Sequence, residues 1–330
     1  MRRSVLALLL AAACGQPQSS EIDAPLDGDA GVDGSGDPDA GIDAPGTTAD
    51  AAIDGPPAML CPAGTWCTET APVATTTRLF AVHARDSSDV WAVGDGGVII
   101  RRRNDTWAVV PSGTTENLRG IWAASANDAW AVGENATVLR WNGTAWGPVA
   151  GVLSISYNGV WGSSASDVWL IGTSRVQRWT GSAWATPVTI PGTLLSIHGT
   201  GPNDVWVAGE PTYLRHYTGT WAVVMPGGGT TQYVVEALAA NDVWSVAPGS
   251  GPRNWNGATW TPYATDAFVD LHAFGPNDIW GVTQNKTGHW NGTSWTVTTP
   301  PGVTTSLTGV SGAGGHLWVV GASATILHRN

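Results

Sequence analysis

Leu118-Arg119-Gly120-Ile121-Trp122, Asp128-Ala129-Trp130-Ala131-Val132-Gly133, Val138-Leu139-Arg140-Trp141 and Trp146-Gly147-Pro148-Val149 follow one another as four short apolar stretches. Between them lie Ala126-Asn127-Asp128, Gly133-Glu134-Asn135-Ala136 and Asn142-Gly143-Thr144-Ala145. Gly in such places supplies positive φ, and Asn and Asp side chains bond nearby backbone amides, so these are turns. Short evenly spaced stretches without helical periodicity predict an all-β fold.

The pattern recurs on two interleaved tryptophan series. Trp91, Trp130, Trp169, Trp206, Trp244, Trp280 and Trp318 stand 36 to 39 residues apart, each in a D-V-W-like step. Trp107, Trp146, Trp184, Trp221, Trp260 and Trp295 follow their partners by 15 or 16 residues. A four-stranded repeat near 40 residues is the length of one propeller blade. The spacing therefore predicts a single β-propeller of seven four-stranded blades over residues 60–330. Trp318 lacks a partner, and Gly64-Thr65-Trp66 stands ahead of the first complete unit. A closed ring explains this: the strand around Trp66 should complete the last blade and cover its open edge.

The first sixty residues are different material. Met1-Arg2-Arg3, the apolar run Val5 to Ala13 and Cys14 make a secretory signal over 1–13, too short for a stable span of roughly 20 apolar residues. Ala11-Ala12-Ala13-Cys14 resembles the bacterial lipobox, which implies a lipidated Cys14. Ala11 stands where that box prefers Leu, and an ordinary signal peptide is the alternative. Gly15 after the Cys resembles sorting to the outer membrane. Residues 14–59 read as a disordered tether, because nine Asp and Glu21, with no aromatic residue, Lys or Arg, cannot bury enough surface to offset chain entropy. Those acids carry most of the chain's formal charge of −11. The rest has 16 acids and 13 bases, so no basic face for nucleic acid is expected. Cys61 and Cys67 are left as a local disulfide in an exported chain.

The pattern L-x-x-I…D-V-W-A-V-G…I-x-R…W-x-x-V resembles tectonin-type β-propeller repeats over residues 64–330, and more loosely the Asp-box propellers. The Asp-box itself is reduced here to W-N-G-T-x-W, and neither a WD40 pair nor a kelch diglycine is present. The resemblance implies a module that binds glycans or other surface ligands.

Three columns carry the remaining chemistry. Asp89, Asp128, Asp167, Asp204, Asp242 and Asp278 precede the first tryptophans by two places and read as turn caps. Arg101, Arg140, Arg178, Arg215, Asn254, His289 and His328 form a second column beside aromatic residues, consistent with Arg–Trp stacking. Eight places before the first tryptophans, His83, His198, Glu236 and His272 are candidate metal ligands, although their spacing favours packing against the next blade. The sequons at Asn142 and Asn291 read as plain turns.

Loops that vary between units define a candidate ligand face: Asp95, Glu116, Asn117, Glu134, Asn135, Glu210, Gln232, Tyr233, Asp266, Gln284, Asn285 and Lys286. No catalytic constellation or cofactor motif emerges. The expectation is a monomeric, non-enzymatic binding module, lipid-anchored at the outer membrane and presenting this face to a glycan or protein. A periplasmic scaffold for envelope assembly and a propeller-type glycosidase or lyase are the alternatives.

Overall fold

The computed structural model describes residues 61–210, 213–224, 231–247 and 249–330. The expected signal segment, Cys14 and the acidic tether lie outside them. A short strand β1 (Trp66–Thr68) opens the chain. Strands β2 (Leu79–Asp86), β3 (Asp89–Gly94), β4 (Ile99–Arg103) and β5 (Thr106–Val109) form the first sheet, and β6 (Leu118–Ser125), β7 (Asp128–Gly133), β8 (Val138–Trp141) and β9 (Trp146–Pro148) the second. The third holds β10 (Tyr157–Ser164), β11 (Asp167–Trp179), β12 (Val188–Gly201), β13 (Asp204–Glu210), β14 (Tyr213–Tyr217) and β15 (Trp221–Val223). The fourth holds β16 (Val234–Ala239), β17 (Asp242–Val246), β18 (Pro252–Trp255) and β19 (Trp260–Pro262). In the fifth are β20 (Asp270–Gly275), β21 (Asp278–Thr283), β22 (Lys286–Trp290) and β23 (Trp295–Thr298). The last combines β24 (Leu307–Ala313), β25 (His316–Gly321) and β26 (Ile326–Arg329) with β1.

The second strand of each sheet is apolar on both faces. Val90, Trp91, Ala92 and Val93 of β3, and Ala129, Trp130, Ala131 and Val132 of β7, have no exposed surface. Such a strand is covered from both sides, here by the neighbouring sheets, and so reads as a continuous apolar run without alternation. The inner strands contact one another in a closed circle, β2 to β6, β10, β12, β16, β20, β24 and back to β2. The turns use the expected chemistry. The Asn142 side chain accepts from the amides of Thr144 and Ala145, both at 2.9 Å, and Gly143 takes φ 98°. Asn256 and Asn291 build the same turn.

Seven separate four-stranded blades are not found. Hydrogen bonding divides the described residues into six sheets, five of four strands and one of six. The departure lies in the third and fourth repeats. β11 runs without a break from the D-V-W step to Trp179, and β12 joins the end of one repeat to the start of the next. β11 doubles back at Ser174, where φ is 56°, as the 2.6 Å between the Arg178 guanidinium and the Asp167 carboxylate shows. A straight strand would hold these residues some 35 Å apart. The outer strand expected at Trp184 is reduced to a single bridge with Trp179, and β11 pairs with β12 instead.

The ring closes where the repeat count required. β1 pairs antiparallel with β26, Trp66 opposite Arg329 and Thr68 opposite Leu327. Trp66 meets Trp280 edge-on at 5.8 Å. Trp146 packs on Trp91, and Trp295 on Trp244, in the same way. Trp66 is thus the outer tryptophan that the last repeat lacks. A disulfide joins Cys61, ahead of this strand, to Cys67 within it.

Candidate functional site

The acidic and basic columns are one device. Arg101 bonds Asp89 through Nε at 2.7 Å and a terminal nitrogen at 2.8 Å, while its guanidinium lies 4.2 Å from the Trp91 ring centre. Arg140 and Asp128 repeat this over Trp130, and Arg178 and Asp167 over Trp169. His289 bonds Asp278 and stacks on Trp280. In the fourth repeat His216, not Arg215, stands opposite Trp206, stacks on it at 3.9 Å and bonds Asp204. The aspartates were expected to cap turns. Five of them instead hold a cation or imidazole flat on a tryptophan, because β-strand register places those two residues across from each other, while Asp242 accepts from the neutral Asn254. Being repeated in nearly every unit, this device is scaffold.

The inner column is also structural. The Ala237 amide donates to His198 Nδ1 at 3.1 Å, the Ala273 amide to Glu236 Oε1 at 3.0 Å and the Ala84 amide to Ser311 Oγ at 3.0 Å. His83 and His272 bond the backbone of Ala123 and Gly312. Each side chain thus reaches the same place on the next inner strand. Trp122 and Trp161 fill their steps by packing on Gly162 and Gly199, where a Cβ would stand 2.6 and 2.9 Å from the indoles. Ser311 escaped the sequence count because Ser311, not Val310, pairs with Trp318.

Each of the four candidate metal ligands thus has a bond to the neighbouring inner strand. Among the described residues no group of three or more His, Cys, Asp or Glu is placed to hold a metal ion. His198 Nε2 approaches Glu236 Oε2 to 3.6 Å, but burial opposes charge on both. It lowers His83 and His198 to about 4 and His272 to about 3, and raises Glu236 to about 8 and Asp270 to about 7. His198 keeps 31 % of its side-chain surface open, so the lost hydration reflects channel walls on every side and not close packing.

The linkage has a definite sign. Folded Glu236 keeps a proton that the unfolded chain releases above pH 4.5, so stability falls as pH rises from 4.5 towards 8. The histidines act oppositely, removing stability as pH falls from 6.5 towards 4. Gln at position 236 keeps the acceptor for Ala273 without the charge. Glu236→Gln should therefore melt above the parent at pH 8.5, with the advantage shrinking steadily to pH 4.5. A pH-independent difference would show that the carboxyl is ionised in the fold.

The candidate loop face divides. Asp95, Glu116, Asn117, Glu134 and Asn135 are brought together. The Gly96 amide donates to Asn117, Asn117 donates to Glu134 at 3.1 Å and Asn135 to Glu116 at 2.7 Å, and Asp95 accepts from the Arg78 amide at 3.0 Å. Lys286 and Asp266 pair at 2.8 Å in another repeat. Glu210 and Gln284 are exposed, Asn285 is half-buried, and Tyr233 is 38 % exposed. Gln232 does not belong to the face: it is fully buried and accepts from the Ser245 hydroxyl at 2.8 Å.

Within this face the ends of the inner strands enclose a cavity of about 380 Å³. Phe80, Arg119, Asn158, Leu195 and Thr308 line it from five inner strands, joined by Arg78, Val269, Gln284, Ser306 and Leu307. Sequence reasoning missed it, although a signal was there. Eleven places before the first tryptophans stand Phe80, Arg119, Asn158, Leu195, Tyr233 and Val269. The shortened register of the last sheet adds Thr308. Three places along, the strands repeat His and Trp; here every residue differs.

Comparison with protein-family models and with curated proteins gives no match. Solved structures do resemble the chain. YCF48 bound to D1 peptide superposes with a TM-score of 0.67 at 16 % identity, covering 80 % of this chain and 96 % of that one. The WD40 β-propeller domain of Doa1 gives 0.66 at 12 %, covering 79 % and 94 %. A catalytically inactive virginiamycin B lyase from Staphylococcus aureus with quinupristin gives 0.70 at 13 %, covering 80 % and 98 %. At these identities the likeness concerns the fold. The chain is a β-propeller.

Proposed function

We propose that this propeller is a non-enzymatic binding module that holds a protein segment at its axial mouth. One observation carries the reading: a single strand position, repeated around the ring, changes residue type in every repeat where it lines the mouth. Scaffold positions recur because each sheet meets the same neighbours, whereas a position facing one asymmetric ligand has no reason to recur. The propeller likenesses support a binding or scaffold role, and one of those neighbours holds a peptide. The lipid anchor on Cys14 and the outer-membrane address, read from the sequence, complete the proposal. A peptide-display library panned on the full chain, beside a glycan array, tests it. Selected peptides should lose binding to a Leu195→Asp variant that melts like the parent. Glycan binding without any peptide selection overturns the reading.

A further inference from the structure

We propose that the segment held at the mouth is acidic, one of its carboxylates docking between the guanidinium groups of Arg78 and Arg119. This rests on the reading of the mouth as a peptide site. Both guanidinium groups lie against one ring: Arg78 is 5.4 Å and Arg119 is 5.5 Å from the centre of Phe80. They are also the cavity's charged side chains, so the lining is cationic although the domain is close to neutral. Arg119 is part-neutralised from outside by Glu134. The Arg78 side chain is exposed and, among the described residues, has no carboxylate within ion-pair distance. Two cations held on an aromatic face repel each other until an anion joins them, and guanidinium–carboxylate bonds are the strong, directional means of doing so.

The surroundings favour a peptide over an acidic sugar. Phe80, the aromatic ring in this lining, already carries both guanidinium groups and offers no free platform for a pyranose. Leu195 and the 45 %-exposed Val269 provide an apolar seat for the aliphatic neighbours of an Asp or Glu. Deeper in the channel most of the titratable groups are held neutral. Burial leaves His83, His198 and His272 uncharged at neutral pH and keeps the proton on Glu236. Asp270, raised to about 7 and bonded to the Leu271 and Val310 amides, is among the described residues the one group there that carries part of a negative charge.

Fluorescein-labelled Leu-Asp-Leu-Asp-Leu-Asp, its Leu-Asn counterpart and labelled oligoglucuronate are titrated against the full chain by fluorescence anisotropy. The acidic peptide should bind about tenfold more tightly than the amide peptide, the loss of one charge-assisted contact. Arg78→Gln and Arg119→Gln should each weaken it about tenfold, with melting temperatures unchanged, and Arg175→Gln, outside the cavity lining, should not. Equal binding of acidic and amide peptides overturns the charge assignment and leaves the peptide site standing. Oligoglucuronate binding that is lost in Arg78→Gln, with both peptides silent, overturns the peptide in favour of an acidic glycan. A mouth that takes no peptide from either this set or the display library overturns the site itself.

Discussion

A chain that begins at Leu79 should melt roughly 10–15 °C below one that begins at Cys61. The loss combines three contributions. Trp66 gives up its edge-on contact with Trp280 and the cover of the Arg329 guanidinium, worth about 2 kcal/mol for a large apolar side chain. The β1–β26 ladder disappears and exposes the edge of β26, a further 1–2 kcal/mol in net hydrogen bonding. Glu69 goes as well, and it is the junction of the closure. It bonds His328 of β26 at 3.1 Å, Arg102 of the first sheet at 3.2 Å and the Trp107 indole. Burial alone would raise its carboxyl, but bonds from His328, Arg102 and Trp107 outweigh that and hold it below its ordinary value. Without it, Arg102, only 5 % exposed, keeps one ionic partner, the exposed Asp105, and a long bond to the Ser87 carbonyl. For a domain of this size each kcal/mol moves the midpoint by about 2–4 °C. Trp66→Ala should show a smaller part of the same shift. Coincident melting of the two chains would remove closure by β1 as a source of stability.

The closure was legible because it depends on a count. Trp66 is out of line with its series, and the ring geometry that explains it needs no side-chain detail. The sheet number was not legible in this way. Nothing in Gly172-Thr173-Ser174-Arg175 marks a hairpin tight enough to leave no break between strands, and Ser is not a residue that favours positive φ. The same limit applies to the columns. Sequence places Asp89 and Arg101 twelve residues apart, and only strand register shows that they meet over Trp91. The inner histidines suggested metal because their residue type is chemically conspicuous; register shows what sequence could not, that each bonds the backbone of the neighbouring inner strand. At the mouth, Phe80, Arg119 and Asn158 look unrelated in sequence, and their shared height in the ring is what makes them one lining.

Register also makes the Asp–cation pairs differ in value, and this is the second large effect to expect. Asp89 is 2 % exposed and accepts from Arg101 twice and from Arg85 at 2.9 Å; Arg101 is itself 6 % exposed. Burial pulls the Asp89 carboxyl up, but these bonds outweigh it and hold it below its ordinary value of 3.8. Its contribution is therefore complete above pH 3.8 and is lost as pH falls through the lower folded value. Asp89→Ala leaves a guanidinium buried without its counter-ion, a change that costs about 3–5 kcal/mol, or roughly 10 °C here. Asp242 is the internal control. It is half-buried and its partner across the strand is the neutral Asn254, at 2.7 Å. Asp242→Ala strands no charge and should cost about 1 kcal/mol, the net worth of one hydrogen bond. Replacing Arg101 by Met together with Asp89→Ala should recover most of the loss, since a packed apolar chain can take the place of a buried pair. Calorimetry of the two single variants and the double variant at pH 7 decides the matter. If Asp89→Ala and Asp242→Ala melt alike, the pair over Trp91 acts as a hydrogen bond and not as a buried charge pair.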